Sequence, residues 1–336
     1  MNGDRLPEPG DPSLAADEPH PDVRRVMADR ERLRPLPLHR MGPRGVRLLT
    51  KVGMWLQDAD PPAVATADFG IPGPAGDIPV RRYRPSGTGP FPTVVYFHGG
   101  GWVLGSPDTH DLLCRHLTVR SDCEVVSVDY RLAPEHPFPA AVEDARAALE
   151  WAASGPTELD ADGQIAVAGD SAGGNLAAVT SLLAAGSDGP VTDVDHQLLI
   201  YPAVAMGEEY PSTRDHAGYV LEAADMEWFN DCYFGSDLTL RNPCADPMRA
   251  CDLSGLPPAT VVTAGFDPLR DAGVAYARRL DDEGVPVRLR NYPEMVHGFL
   301  GMLSDSEDVD RAHGALAELA GDLRDALGVS AAGREA

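Results

Sequence analysis

The segment "VAGDSAGGN" (residues 167–175) sets Ser171 between an aspartate and a run of small residues. Three readings compete: a nucleophile on a sharp turn, a phosphate-cradling loop, or a plain tight turn. Its flanks separate them. "GQIAVAGDS" (163–171) reads as a strand that ends at the serine, and "NLAAVTSLLAA" (175–185) reads as a helix of small and apolar residues. Gly169-Asp170-Ser171-Ala172-Gly173 therefore fits G-x-S-x-G between a strand and a helix, the context that motif requires. Small residues let the strand turn sharply, and the following helix N-terminus faces developing negative charge. A phosphate loop fits poorly. No G-x-x-x-x-G-K-[ST] or G-x-G-x-x-G occurs, and the only lysine is Lys51.

Strand and helix signals alternate outward from this turn. Strands are expected at 64–71, 77–85, 92–99, 123–131, 196–204, 258–266 and 286–293. Helices are expected at 108–120, 140–153, 269–284 and 307–327. Such alternation predicts an α/β fold, a mostly parallel sheet with helices on both faces. Two stretches break it. Residues 1–60 are helical and charged, with apolar positions such as Val46, Leu48, Leu49 and Val52. Residues 205–253 form a long insertion carrying Tyr210, Tyr219, Trp228, Phe229, Tyr233 and Phe234. The expected division is a catalytic unit over 61–204 and 254–328, with 1–60 and 205–253 forming a cap over the carboxyl ends of the strands.

A serine hydroxyl is almost wholly protonated at neutral pH, so it needs a base, an orienting acid and a site for negative charge. On a strand–serine–helix elbow these follow in the order Ser, Asp/Glu, His. Asp267 directly follows the strand "PATVVTAGF", and His297 follows "PVRLRNYP"; both fall at carboxyl ends of strands, on the edge that carries Ser171. Asp246, Asp252 and Asp271 are other acids that could orient the histidine, and strand-end position selects Asp267. Asp271 is expected to serve the following helix or Arg270 instead. Upstream, His98-Gly99-Gly100-Gly101-Trp102 follows the strand "PTVVYF". Its exposed backbone N–H groups, with that of Ala172, suit a tetrahedral oxyanion.

The bulk properties narrow the partners. Twenty-eight basic against 52 acidic residues leave a net charge of −24, a field that repels nucleic acid and anionic membranes. No apolar stretch approaches a membrane span. The acidic, proline-rich first 20 or so residues lack the pattern of a secretory signal and read as a frayed leader on a cytoplasmic protein. The five cysteines show no C-x-x-C spacing, which points to free thiols and no metal site. Extreme acidity also suits a salt-adapted cytoplasm, which activity and folding from low to molar KCl would separate from mere solubility.

"HGGGW", "DYRLAPEHPFPAAVEDA", "GDSAGGN", "FDPLRDAG" and "VHGF" occur here in the order in which they occur in the hormone-sensitive lipase family of α/β-hydrolases. The chain resembles that family, microbial carboxylesterases among them, from about residue 64 to 325. The resemblance implies an α/β-hydrolase fold with a helical cap. It implies Ser171, Asp267 and His297 as the triad and Gly99, Gly100 and Ala172 as oxyanion donors. The expected function is hydrolysis of short- to medium-chain carboxylic esters, with hydrolysis of amides or other acyl groups, or ligand binding without catalysis on the same fold, as the alternatives. The expected partners are a small-molecule ester substrate and a second copy of the chain as a homodimer, with no cofactor, no metal, no nucleic acid and no membrane insertion.

Overall fold

The structure is a computed structural model that describes residues 5–33, 36–56, 60–186, 192–206, 208–236, 238–304 and 307–329. Parts of both expected cap segments, namely 1–4, 34–35, 57–59, 207 and 237, lie outside the described residues.

Eight strands form one sheet: β1 (Ala65–Ile71), β2 (Ile78–Arg84), β3 (Phe91–Phe97), β4 (Glu124–Val128), β5 (Ala161–Asp170), β6 (His196–Ile200), β7 (Ala259–Phe266) and β8 (Val287–Val296). Their order is β1-β2-β4-β3-β5-β6-β7-β8. β1 pairs antiparallel with β2, and β2 with β4; every pairing from β4 onward is parallel. The central strands are buried along their whole length, as a sheet covered on both faces requires.

Alternation along each strand divides the core. Val95, Phe97, Val167, Leu199 and Val261 point to one face, where α4 (Ala140–Ala153), α5 (Ala172–Ala185) and α8 (Arg270–Asp282) cover them. Val94, Tyr96, Ala168, Leu198 and Val262 point to the other, beneath α3 (Asp111–Ser121) and α9 (Asp310–Ala326). The expected strands and helices all occur, with ends shifted by up to four residues. β6 stops at Ile200 because Tyr201 turns to φ 33° beside the serine turn.

Residues 5–20 depart from expectation. Instead of fraying, the leader lies along β8. Leu14 is buried, and the Ala16 and His20 N–H groups donate to Pro293 O (3.0 Å) and Glu294 O (2.8 Å). Asn291 Nδ2 donates to Leu14 O at 2.9 Å, and Arg278 pairs with Glu8 at 2.7 Å. β8 is the edge of the sheet, and its free backbone groups give a polar, proline-rich segment the partners that its own composition does not reveal.

Two helices precede the sheet, α1 (Pro21–Leu33) and α2 (Leu38–Leu56), the latter broken at Gly42 (φ 68°) before Pro43. The insertion after β6 contains α6 (Pro211–Asp215) and α7 (Ala223–Tyr233). α2 meets α7 where the His39 N–H donates to Asp225 Oδ1 at 3.1 Å.

Candidate active site

Ser171 sits at the end of β5 with φ 56° and ψ −117°, a conformation that side chains other than glycine rarely adopt. Neighbouring backbone holds it there. The Ser171 N–H donates to Ile200 O at 2.8 Å, and its carbonyl accepts from Ala203 (3.0 Å) and Asn175 (3.1 Å). The Asn175 side chain ties the same turn to Ala203 O and Ala245 O. The flanking glycines leave room. A Cβ on Gly173 would come within 1.9 Å of Phe97 O, and one on Gly169 within 2.3 Å of Gly173 O.

β5, β7 and β8 run parallel, so their carboxyl ends share one edge of the sheet. That edge brings together Ser171, Asp267 and His297. His297 Nε2 lies 2.9 Å from Ser171 Oγ, and its Nδ1 lies 2.8 Å from Asp267 Oδ2. The fully buried carboxylate can only accept, so Nδ1 carries the proton and Nε2 faces the hydroxyl as an acceptor. Asp267 Oδ1 is held by the Leu269 N–H at 2.8 Å. Burial alone would push the imidazole of His297 down. The charge of Asp267 and its hydrogen bond outweigh that, and the net displacement is upward from 6.5.

The other acids are engaged elsewhere. Asp246 accepts from the Ala205 N–H (2.8 Å), and Asp252 from the Ser254 N–H (2.8 Å). Asp271 joins Arg270 (2.8 Å) and exchanges hydrogen bonds with Ser212 of α6: the Ser212 N–H donates to its carboxylate, and its own N–H donates to Ser212 Oγ. α6 is thereby clamped to the loop that carries Asp267. Ser212 Oγ also donates to Pro268 O at 3.0 Å.

Among the glycines the structure corrects the expectation. The Gly99 N–H donates to Asp170 Oδ1 at 2.9 Å and so cannot also serve an oxyanion. Gly100 (φ 121°) and Gly101 (φ 59°) make no backbone N–H hydrogen bond among the described residues. The Ala172 N–H opens α5, where no intrahelical acceptor exists. The free amides on this edge therefore belong to Gly100, Gly101 and Ala172. Gly101 was missed because three consecutive glycines look alike until Asp170 claims one.

Asp170 anchors the loop beneath. Besides Gly99 it accepts from Tyr96 Oη at 2.7 Å and meets His110 Nε2 at 3.2 Å. Burial would raise its carboxyl, but the charge of His110 and the hydrogen bonds from His110 and Tyr96 more than offset that and hold it at about 2. Burial takes His98 down to about 3, so it stays neutral; it stacks on Tyr130 at 4.3 Å and contacts Gly99 O through Nδ1 at 2.9 Å. Both residues order the glycine loop. His110 joins the network with no signal that distinguishes it in sequence from the other nine histidines. Above the loop, Phe229 of α7 lies against Gly101, where a Cβ would come within 2.3 Å of its ring. Trp102 is buried and stacks on Tyr233 at 4.8 Å.

The five cysteines are free thiols. Among the described residues, no group of three or more His, Cys, Asp or Glu could hold a metal ion, and no helix is long and apolar enough to cross a membrane.

Comparison with known proteins agrees with this fold. A family profile for the alpha/beta hydrolase fold matches residues 94–301. The carboxylic ester hydrolase LipN of Mycobacterium tuberculosis is 48% identical over 246 residues, covering 71% of this chain and 65% of that protein. An arylesterase of Saccharolobus solfataricus is 41% identical, covering 79% of this chain and 88% of that one. The crystal structure of a thermostable esterase from Pseudomonas putida superposes with a TM-score of 0.88 at 33% identity, over 94% of this chain and all of that one. With the serine elbow, the parallel sheet and the profile all in agreement, this chain belongs to the hormone-sensitive-lipase-like family of α/β-hydrolases.

Proposed function

We propose that the protein is a carboxylic ester hydrolase that works through an acyl-enzyme on Ser171. The observation that carries this is the unbroken relay from Asp267 through His297 to Ser171, with contacts of 2.8 and 2.9 Å. Ser171 Oγ attacks the ester carbonyl as His297 Nε2 takes its proton. Asp267 keeps the imidazole in the required tautomer and stabilises the imidazolium. The tetrahedral oxyanion is received by the N–H groups of Gly100, Gly101 and Ala172. His297 returns the proton to the leaving alcohol, and a water repeats the cycle to release the acid. Residues 205–253, with 1–60, act as the cap. In support, α7 lays Phe229 on the glycine loop and Tyr233 against Trp102. A cap seated that low favours short to medium acyl chains. A salt-rich cytoplasm as the working compartment is our reading of the −24 net charge.

The test is a series of aryl esters from acetate to palmitate, with Ser171→Ala as blank. Turnover is expected to peak among the short chains and to fall steeply towards palmitate. A maximum at palmitate would overturn the chain-length reading, and turnover of amides but not esters would overturn the substrate class.

The pH profile follows from His297. The base works only when neutral, and its pKa is displaced upward from 6.5. The acid limb of kcat/KM is therefore expected to have its midpoint above 6.5, with activity rising as pH rises through it. In Asp267→Asn the raising charge is gone, so the midpoint should move down while the rate falls. A wild-type midpoint below 6.5 contradicts this assignment.

A further inference from the structure

Although the chain is strongly acidic, α2 carries Arg40, Arg44, Arg47 and Lys51 and no acid at all. After the break at Gly42 its faces separate cleanly. Val46 points inward and is buried. Arg47 fastens the helix to the catalytic unit, donating to Val103 O (2.8 Å), Ala133 O (2.7 Å) and Glu135 (2.9 Å). The outward side is apolar. Leu48 is 64% exposed, Val52 44% and Leu49 38%. At the helical period, Arg44, Leu48 and Val52 fall on one row, and Lys51 lies on the adjoining row. Arg40, Arg44 and Lys51 are exposed and make no ion pair among the described residues. The charge of Arg44 reaches the Glu135 carboxyl and that of Lys51 reaches Asp129, without closing to an ion pair among the described residues, so cations outside any ion pair border an exposed apolar stripe.

We infer that this face of α2 docks on the surface of a phospholipid bilayer bearing anionic headgroups. An apolar stripe edged by lysine and arginine lies in a lipid interface with its side chains at the acyl boundary and its cations at the phosphates. Charge selects this occupant. An isologous contact with a second copy would set the same cations against each other. The acidic remainder of the molecule does not forbid docking, because charges more than about 8 Å apart are largely screened at physiological ionic strength. The whole-chain charge, which by itself speaks against anionic membranes, averages over a patch of opposite sign.

The full chain would be mixed with phosphatidylcholine vesicles, with and without phosphatidylglycerol, and pelleted at low and high KCl. Binding is expected to be about tenfold stronger on the anionic vesicles and to weaken with salt. Arg44→Glu with Lys51→Glu should abolish the anionic preference. Leu48→Ser with Val52→Ser should cut binding about tenfold. Both double variants should keep the parent's circular dichroism and Tm, since these side chains face solvent. Equal binding to both vesicle types, no pelleting, or binding unchanged in both variants would overturn the inference. So would a dimer, seen by sedimentation equilibrium, that dissociates in the leucine–valine variant, because that would give the face to a second copy.

Discussion

Ser171→Ala is expected to lower kcat/KM for an aryl acetate by about 10,000-fold or more while leaving the protein folded. In the proposed mechanism the Ser171 hydroxyl, 2.9 Å from His297 Nε2, is the bond-forming atom, so its removal deletes the nucleophile and strands the base. What survives is the free amides and the base acting through water. The fold should persist, because alanine keeps the Cβ and the turn is held by backbone bonds to Ile200 O and from Ala203 and Asn175. His297→Ala should cost a similar factor. The double variant should be scarcely worse than either, because the residues act as a unit. Rates corrected for any wild-type carry-over, together with Tm, decide the matter. A Ser171→Ala protein within tenfold of the parent would remove the acyl-enzyme mechanism.

Gly173→Ala should damage the fold itself. The added methyl would lie 1.9 Å from Phe97 O, 2.5 Å from Phe97 C and 2.7 Å from His98 O. All three are backbone atoms of a buried strand end and cannot swing aside as a flexible side chain could. Relief requires α5 to withdraw from β3, which pulls Ser171 away from His297. A loss of more than about 4 kcal/mol is expected, seen as insoluble protein or a Tm lower by roughly 10 °C. Gly314→Ala in α9 is the contrast. Its new methyl would find Arg311 Nη1 as nearest neighbour at 3.6 Å, and the exchange should be neutral or slightly stabilising. Equal stability of the two variants would mean that the elbow yields more readily than its contacts indicate.

Much of this molecule was legible before folding was considered. A strand that stops at Ser171 and a small-residue helix that starts after it are local patterns, recorded in neighbouring residues. So are the strands ending at Asp267 and His297. Once those strands are parallel, their carboxyl ends must share an edge, and strand-end position together with chain order points to the three residues. The leader was misread for the opposite reason. Its prolines and acids describe a segment without internal partners, whereas its partners lie in β8, nearly 300 residues away in the chain.

The same division runs through the functional residues. The residue types of the relay, their order and the small residues around the elbow follow from local sequence, because each is dictated by the element it ends. Which glycine amides stay open was settled only by packing. Asp170 reaches Gly99 across 71 residues and occupies its N–H, which leaves Gly100 and Gly101 free. The exposed cationic face of α2 is likewise invisible in a total charge, because a net charge sums over the chain while a surface sorts it by direction. Hydrogen-bond availability and surface exposure are properties of neighbours in space, and only the folded chain supplies those.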